Sequence, residues 1–371
     1  MTNDAGEFLH DLDVNKHTEE EVKTVINAFP VALFYFDENM SLPIHKAVYR
    51  IDSAPFIPLL AIEGAKLKVG GEGGRGGLLV KDPNAPINVL QHLVSWNKNL
   101  SSARVPPLDI LKKLRECGLL QKRDVAKYHL LFVACLPATK DRFDYLVDWA
   151  PAALKKSKDA EEYLIHFVLD EGIDRNVFAT ILNAGLKYYP EHLGFLFQTN
   201  DGGKTACEVA FNMHGKEETL NIIQQCIPDN ANHPVLHHVI KHAPQYMNDF
   251  AMRYPAATFL RDENGRLLLH VALSSGTNLK TDAMFVLRTR DEEIEERDPV
   301  NGLYPFMIAA SGDRSDLSTI HYLLTRNSSL LYRSEVVSLN NRAKVSTDAV
   351  YMVNVLTDST KEQCSSASGE M

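Results

Sequence analysis

The segment Gly70-Gly-Glu-Gly-Gly-Arg-Gly-Gly77 is the place where this chain most invites chemistry. Glycine lets backbone N–H groups approach an anion, and a loop that grips phosphate does so just before a helix, ending in Gly-Lys-Ser or Gly-Lys-Thr. Here the run continues into Leu78-Leu-Val-Lys-Asp-Pro, so that pattern fails. The dinucleotide pattern fails too, because no strand-then-helix context with an acidic residue about 20 positions on is evident. A flexible insertion loop is the simpler reading. A ligand- or nucleotide-regulated protein, or an enzyme, that uses the loop at 70–77 stands as the alternative, and one Arg among glycines is a thin signal for RNA.

A second candidate is His233-Pro-Val-Leu-His237-His238-Val-Ile-Lys-His242, in which His238 and His242 lie one helical turn apart, a spacing that suits a transition metal. No acidic ligand stands at a matching position inside the cluster, so these read as surface side chains. The acidic run Asp291-Glu-Glu-Ile-Glu-Glu-Arg-Asp298 reads as a solvated helix face, with a docking patch for a basic partner as the sharper option. Trp96 and Trp149 fall in apolar helical patterns and belong to the core. No Ser/His/Asp, Cys/His or paired-carboxylate arrangement stands out. The expectation is no catalytic residue, no metal and no cofactor, hence not an enzyme.

The elements that would position these residues repeat. Pro30, Pro151 and Pro255 each precede a histidine (His45, His166, His270) by fifteen positions, in Pro30-Val-Ala-Leu, Pro151-Ala-Ala-Leu and Pro255-Ala-Ala-Thr contexts. The histidines sit in Ile44-His45-Lys-Ala47, Ile165-His166 and Leu269-His270-Val-Ala272. One histidine per repeat, spread along a stack, is a packing and capping device rather than a catalytic set. Looser copies carry His92, Phe132, Glu208, His237 and Met307 at the equivalent point, so the period scatters around the mid-thirties.

Each repeat holds two helical patterns. The first opens at the histidine segment, where Pro43 or Pro305 fits the first turn because its missing N–H would be unpaired there anyway. The second is clearest in Leu317, Ile320, Leu323 and Leu324 behind a Ser315-Asp316 cap. Thr18-Glu-Glu-Glu21 has capping-box spacing before Val22, Val25, Ile26 and Phe29, which starts the array near residue 18. Tight turns precede the first helices at Asp37-Glu-Asn39, Asn200-Asp-Gly-Gly203, Asp262-Glu-Asn-Gly265 and Asp298-Pro-Val-Asn-Gly302. No sheet pattern is sustained, so strands should be few.

These residues resemble the ankyrin repeat. Its motif of Asp, two variable residues, Gly, one variable residue, then Thr-Pro-Leu-His, a variable residue and Ala is matched by Asp262, Gly265, Leu269, His270 and Ala272, with Leu267 and Leu268 in place of Thr and Pro. Gly276 falls where the family has its inter-helix glycine. The first copy supplies Asp37, Pro43, His45 and Ala47 but has Met40 for the turn glycine. A later copy supplies Gly302, Pro305, Ala309 and Ala310 with Met307 for His, and Gly203, Thr205 and Ala210 match the Gly-Lys-Thr variants. The resemblance spans about residues 18–331 and is faintest over 87–200. Most copies lack the Thr that normally bonds the His, a loss of about 1 kcal/mol per repeat.

The resemblance implies an all-α fold, an ankyrin-like α-solenoid of seven to eight helix pairs with short hairpin-like turns. Residues 1–17 are a frayed lead-in, 18–331 the array with a Gly-rich insertion at 68–86, and 332–371 a polar, disordered tail. The Asp/Gly turns argue against a generic HEAT- or TPR-like stack. The implied function is an intracellular scaffold or adaptor that binds another protein on its concave face and turn tips. The nominated contacts are Arg261, Glu263, Asn264, Arg266, Ser274, Ser275, Asn301, Leu303, Glu38, Asn39 and Ser41.

Composition agrees with that reading. The chain has 371 residues, 45% apolar and 23% charged, which excludes wholesale disorder. A net charge of −9 speaks against a nucleic-acid partner that works by phosphate neutralisation. Apolar runs such as 29–36 and 130–137 are far shorter than the ~20 residues of a membrane span, so no membrane partner is expected. The acidic start, MTNDAGEFLHDLD, lacks a signal-peptide pattern, so the expectation is a protein of the cytoplasm or nucleus; a monomer is expected as well. Cys117, Cys135, Cys207, Cys226 and Cys364 form no C-x-x-C pair and read as reduced, mostly packed thiols.

Overall fold

The computed structural model describes residues 2–71, 73–96, 105–135, 139–155, 162–170, 174–229, 233–276, 286, 291–311 and 317–326. Among them the chain is all-α: nineteen α-helices, several short 3₁₀ turns, and only three isolated antiparallel bridges, Lys81 with Asn88, Thr199 with Thr205 and Arg261 with Leu267. It divides into two compact units, Met1–Tyr188 and Tyr189–Met371, a division that the repeat spacing does not mark.

The first unit is built of successive helix pairs. α1 (Thr2–His10) and α2 (Glu19–Ala28) are followed by α3 (Pro43–Tyr49) with α4 (Ile57–Lys66), and α5 (Val89–Ser95) with α6 (Pro107–Glu116). Next come α7 (Lys122–Lys127) and α8 (Leu130–Ala134), separated by His129 at φ 48°, with α9 (Lys140–Trp149) behind them, and then α10 (Leu164–Asp170) with α11 (Arg175–Tyr188). The first helix of each pair packs on the first helix of the next, α1 on α3, α3 on α5, α5 on α8 and α8 on α10, while α2, α4 and α6 pack in the same order behind them. The faces so covered are apolar: Ile57, Leu60 and Ala61 on α4, and Val177, Phe178, Ile181 and Leu182 on α11. Each such large aliphatic or aromatic side chain contributes roughly 1.5–3 kcal/mol when fully buried.

The second unit repeats the scheme. α12 (Ala206–His214) pairs with α13 (Lys216–Cys226), and α14 (Val235–His242) with α15 (Met247–Arg253). α14 also packs on α16 (Leu268–Ser274), and α16 on α18 (Pro305–Ala310). α18 pairs with α19 (Leu317–Arg326), and the short α17 (Asp291–Ile294) precedes the last turn.

The repeated prolines end helices. Phe29, Ala150, Tyr189, Ala243 and Tyr254 each precede a Pro and share one non-helical conformation, φ between −124° and −151° and ψ between 53° and 66°. The Pro ring clashes with a helical residue before it, so the helix must stop there. The Pro then opens a single 3₁₀ turn, as in Pro30–Phe34, Pro151–Leu154 and Pro255–Phe259. The capping box at Thr18 and Glu21 forms as expected, and Val22 and Ile26 are buried. On α19 Ile320, Leu323 and Leu324 are buried but Leu317 is exposed, and the Ser315-Asp316 cap lies outside the described residues.

Two segments differ from their sequence reading. Residues 2–10 are helical rather than frayed: Ala5, Leu9 and Leu12 are buried, and the Val14 N–H donates to the Asp52 carbonyl (2.9 Å). The insertion at 68–86 is packed rather than loose. Leu78 is fully buried, and Gly76 (φ 70°) presses so closely on α4 that a Cβ there would lie 2.1 Å from the Ala61 carbonyl oxygen. Only glycine fits. The polar tail at 332–371 lies outside the described residues.

Candidate functional site

The tight turns ahead of the first helices are built alike. The Asp37 carboxylate accepts the N–H groups of Asn39 and Ser41 (both 2.9 Å), and Asp262 those of Asn264 (3.0 Å) and Arg266 (2.9 Å). Asp298 accepts from Val300 (3.0 Å) and Asp82 from Asn84 (2.9 Å). This is the side-chain mimic of a backbone turn that Asp provides. Burial pushes the Asp37 carboxyl up, but the Ser41 and Asn39 donors outweigh it and leave it below its usual range. The turn then needs a left-handed residue, supplied by Gly203, Gly265 and Gly302 at φ near 74° and by Met40 at 59°.

Behind several of the tips, a residue near the start of the first helix ties its repeat to the next. His45 Nδ1 accepts the Leu42 N–H (3.2 Å), which fixes the proton on Nε2, and Nε2 donates to the Val80 carbonyl (3.1 Å). His270 does the same between the Leu267 N–H (3.3 Å) and the Glu296 carbonyl (3.0 Å). His237 Nε2 donates to the Arg266 carbonyl (3.1 Å), but its Nδ1 has no partner because the residue three before it is Pro234, which has no N–H. Burial lowers the pKa of all three, that of His237 to about 4. His166 is likewise fully buried.

Other side chains fill the slot where histidine is absent. Gln91, not the neighbouring His92, accepts the Asn88 N–H (2.9 Å) and donates to the Tyr128 carbonyl (3.2 Å). Glu208 accepts hydrogen bonds from the Thr205 N–H (2.8 Å) and from Gln245 Nε2 (2.8 Å). Asp124 rather than Phe132 opens α7, accepting the Gln121 N–H (2.7 Å).

Neighbouring tips lock together. In the second unit Arg266 forks onto Asp298 (Nη2 2.8 Å, Nε 3.2 Å) and also reaches the His270 carbonyl and Ser274 hydroxyl. Arg261 pairs with Glu296, and Pro299 lies beside Gly265. In the first unit the Ser41 hydroxyl donates to Asp82 (3.1 Å) and Asn84 Nδ2 to the Asn39 carbonyl (2.9 Å). Burial and a bond to Asp82 push the Tyr49 hydroxyl up to about 12.

The nominated residues therefore separate. Glu38, Asn39, Arg261, Glu263, Asn264, Ser274, Ser275 and Asn301 are exposed, and Leu303 is half-buried. Ser41 is buried and spent on Asp82, and Arg266 is spent on the fully buried Asp298, so both hold the turns and neither faces a partner. The acidic run is drawn inward at the same place, since Glu296 and Asp298 answer Arg261 and Arg266. Three further tip residues stand outside the nominated set. Met40 (59% exposed) and Val300 (62%) are apolar side chains on turn tips, and Asn84 belongs to an Asp82-Pro83-Asn84 turn hidden in the insertion. The Asp-Pro start shared with Asp298-Pro299 was the available signal.

In the Gly-rich segment, Arg75 reaches 49 residues along the chain to Asp124 and bonds the Leu119 carbonyl and Gln121 Oε1 (both 3.0 Å). His238 and His242 stack at 6.4 Å, His238 half-buried. Among the described residues no group of three or more metal-ligating side chains is assembled. Trp96 is buried, whereas Trp149 is half-buried with the Arg115 guanidinium 4.5 Å over its ring. Cys135 and Cys207 are buried, Cys226 is half-buried and Cys117 exposed, all as free thiols. Among the described residues no helix is long and apolar enough to cross a membrane. Comparison with known proteins finds no family model that matches the chain and no matching curated sequence.

Proposed function

We propose that the chain is a non-catalytic recognition scaffold, an ankyrin-like repeat array that binds another protein on its turn tips and the exposed sides of its first helices. The observation that carries the reading is the recurrence of one construction, an Asp-braced turn followed by a buried polar residue that reaches the next repeat. It rigidifies tips whose outer side chains are exposed. Rigid, exposed turns on a repeat framework give a binding surface that loses little entropy on association.

In the second unit the surface is Glu263, Asn264, Asn301 and Arg261 around Val300, with Ser274 and Ser275 on the adjoining helix. In the first it is Glu38, Asn39 and Asn84 around Met40. Each is a small apolar anchor inside a polar rim, the usual make-up of a protein interface. The partner is a polypeptide met in the cytoplasm or nucleus by a monomer, with no nucleic acid or membrane involved.

The test is capture from native lysate by wild type, by the triple variant Glu263→Ala, Asn264→Ala, Val300→Asp, and by Lys112→Ala on α6 as a control. The tip variant should lose the captured protein while keeping wild-type helicity and melting, and the control should keep it. Equal capture by all three would overturn the reading.

A further inference from the structure

The Gly-rich insertion and the connection from α6 to α7 enclose a cleft of about 340 Å³, within the size of small-ligand pockets. Its walls are Gly73 and Leu79 from the insertion, and Gly118, Arg123, Lys127 and Tyr128 from the facing side. The cleft is a built feature. Gly76 is pinned to α4, Leu78 is buried below, and Arg75 is fastened to Asp124, Gln121 and the Leu119 carbonyl.

Its charge is unbalanced. Among the described residues Asp124 is the only carboxylate lining it, and it is buried and already answered by Arg75 and the Gln121 N–H. Arg123 and Lys127 stand one turn apart on α7, both exposed, and among the described residues neither meets a carboxylate. Two like charges at this spacing repel each other, in a chain of net charge −9 that has acids to spare. The half-buried Tyr128 beside them offers an aromatic wall, with Lys127 Nζ 5.5 Å from its ring centre.

We propose that this cleft binds a phosphate monoester, with Arg123 and Lys127 taking the dianion and Tyr128 lining the side where an attached base would lie. A doubly charged anion matches two cations that meet no carboxylate among the described residues, and glycines at 73 and 118 leave the approach clear, since a Cβ at either would touch nothing within 4 Å. The site is separate from the turn tips and does not depend on them.

The experiment uses the full chain, titrated with inorganic phosphate, AMP and adenosine at constant ionic strength, read by calorimetry and by melting temperature. Phosphate or AMP should give saturable binding and a rise in melting temperature, with AMP the tighter if the aromatic wall contributes. Arg123→Gln with Lys127→Gln should weaken it at least tenfold, whereas Lys122→Gln, exposed but outside the cleft, should leave it unchanged. Both variants lie on the surface, so loss of fold cannot imitate the result, and circular dichroism checks this directly. No saturable binding of phosphate or AMP, equal binding of adenosine and AMP, or undiminished binding by the double variant would overturn the proposal.

Discussion

Replacing His270 with leucine removes both ends of one inter-repeat tie while keeping the slot filled. The Leu267 N–H that it caps is buried, so losing the acceptor leaves an unsatisfied donor at a cost of ~1–3 kcal/mol. The Glu296 carbonyl at the other end is only part-buried and can turn to water, so there the loss is the net bond, about 1 kcal/mol. Leucine recovers part of this through apolar burial, so the expected destabilisation is about 2 kcal/mol. Glutamine should cost less than half of that, because Gln91 already makes the same two bonds between the Asn88 N–H and the Tyr128 carbonyl. The assay is urea unfolding by circular dichroism with hydrogen exchange resolved over 262–274, since two units need not unfold together. If His270→Leu proves as stable as His270→Gln, the side chain is mere filling and the tie is irrelevant.

Acid should weaken the fold through the same histidines. Burial holds His237 at about 4 and keeps His45 and His270 low, so the unfolded chain binds the extra protons first. Stability is complete above pH ~6.5 and falls as pH drops towards 4, by about 3 kcal/mol for His237 alone; a His237→Gln variant should show a shallower loss of urea midpoint across that window, and an unchanged slope would refute this. Met40→Gly should stabilise the first turn by about 0.5–1 kcal/mol, because a left-handed non-glycine residue is strained at φ 59°; a lower melting temperature would contradict it. Arg142→Met should cost ~2–4 kcal/mol, because this fully buried guanidinium satisfies the Leu93 and Trp96 carbonyls (3.0 and 2.8 Å) at the end of α5; a loss below 1 kcal/mol in denaturant unfolding would count against that role.

Local features were legible in the chain and pairings across repeats were not. The Pro-to-His spacing could be read because it lies within one repeat; the helix stop before each Pro is set between adjacent residues and is seen in the structure. The Asp turns were readable for the same reason. Ser41 and Arg266 looked like exposed tip residues because the carboxylates that claim them, Asp82 and Asp298, arrive from one repeat away. Arg75 looked like a lone charge in a loose loop until Asp124, 49 residues on, came beside it. Gln91, three residues after Asn88, takes the slot that residue type alone would give to His92. The helix at 2–10 was readable in principle, since Ala5, Leu9 and Leu12 keep helical spacing.

Hydrogen exchange on the chain with and without its captured partner tests the central claim most directly. The account predicts new protection at the tips, over 262–265 and 298–303 or over 37–41 and 82–86, with α13 and α15 exchanging as in the free protein. Protection confined to the outer helices, with the tips unchanged, would contradict it.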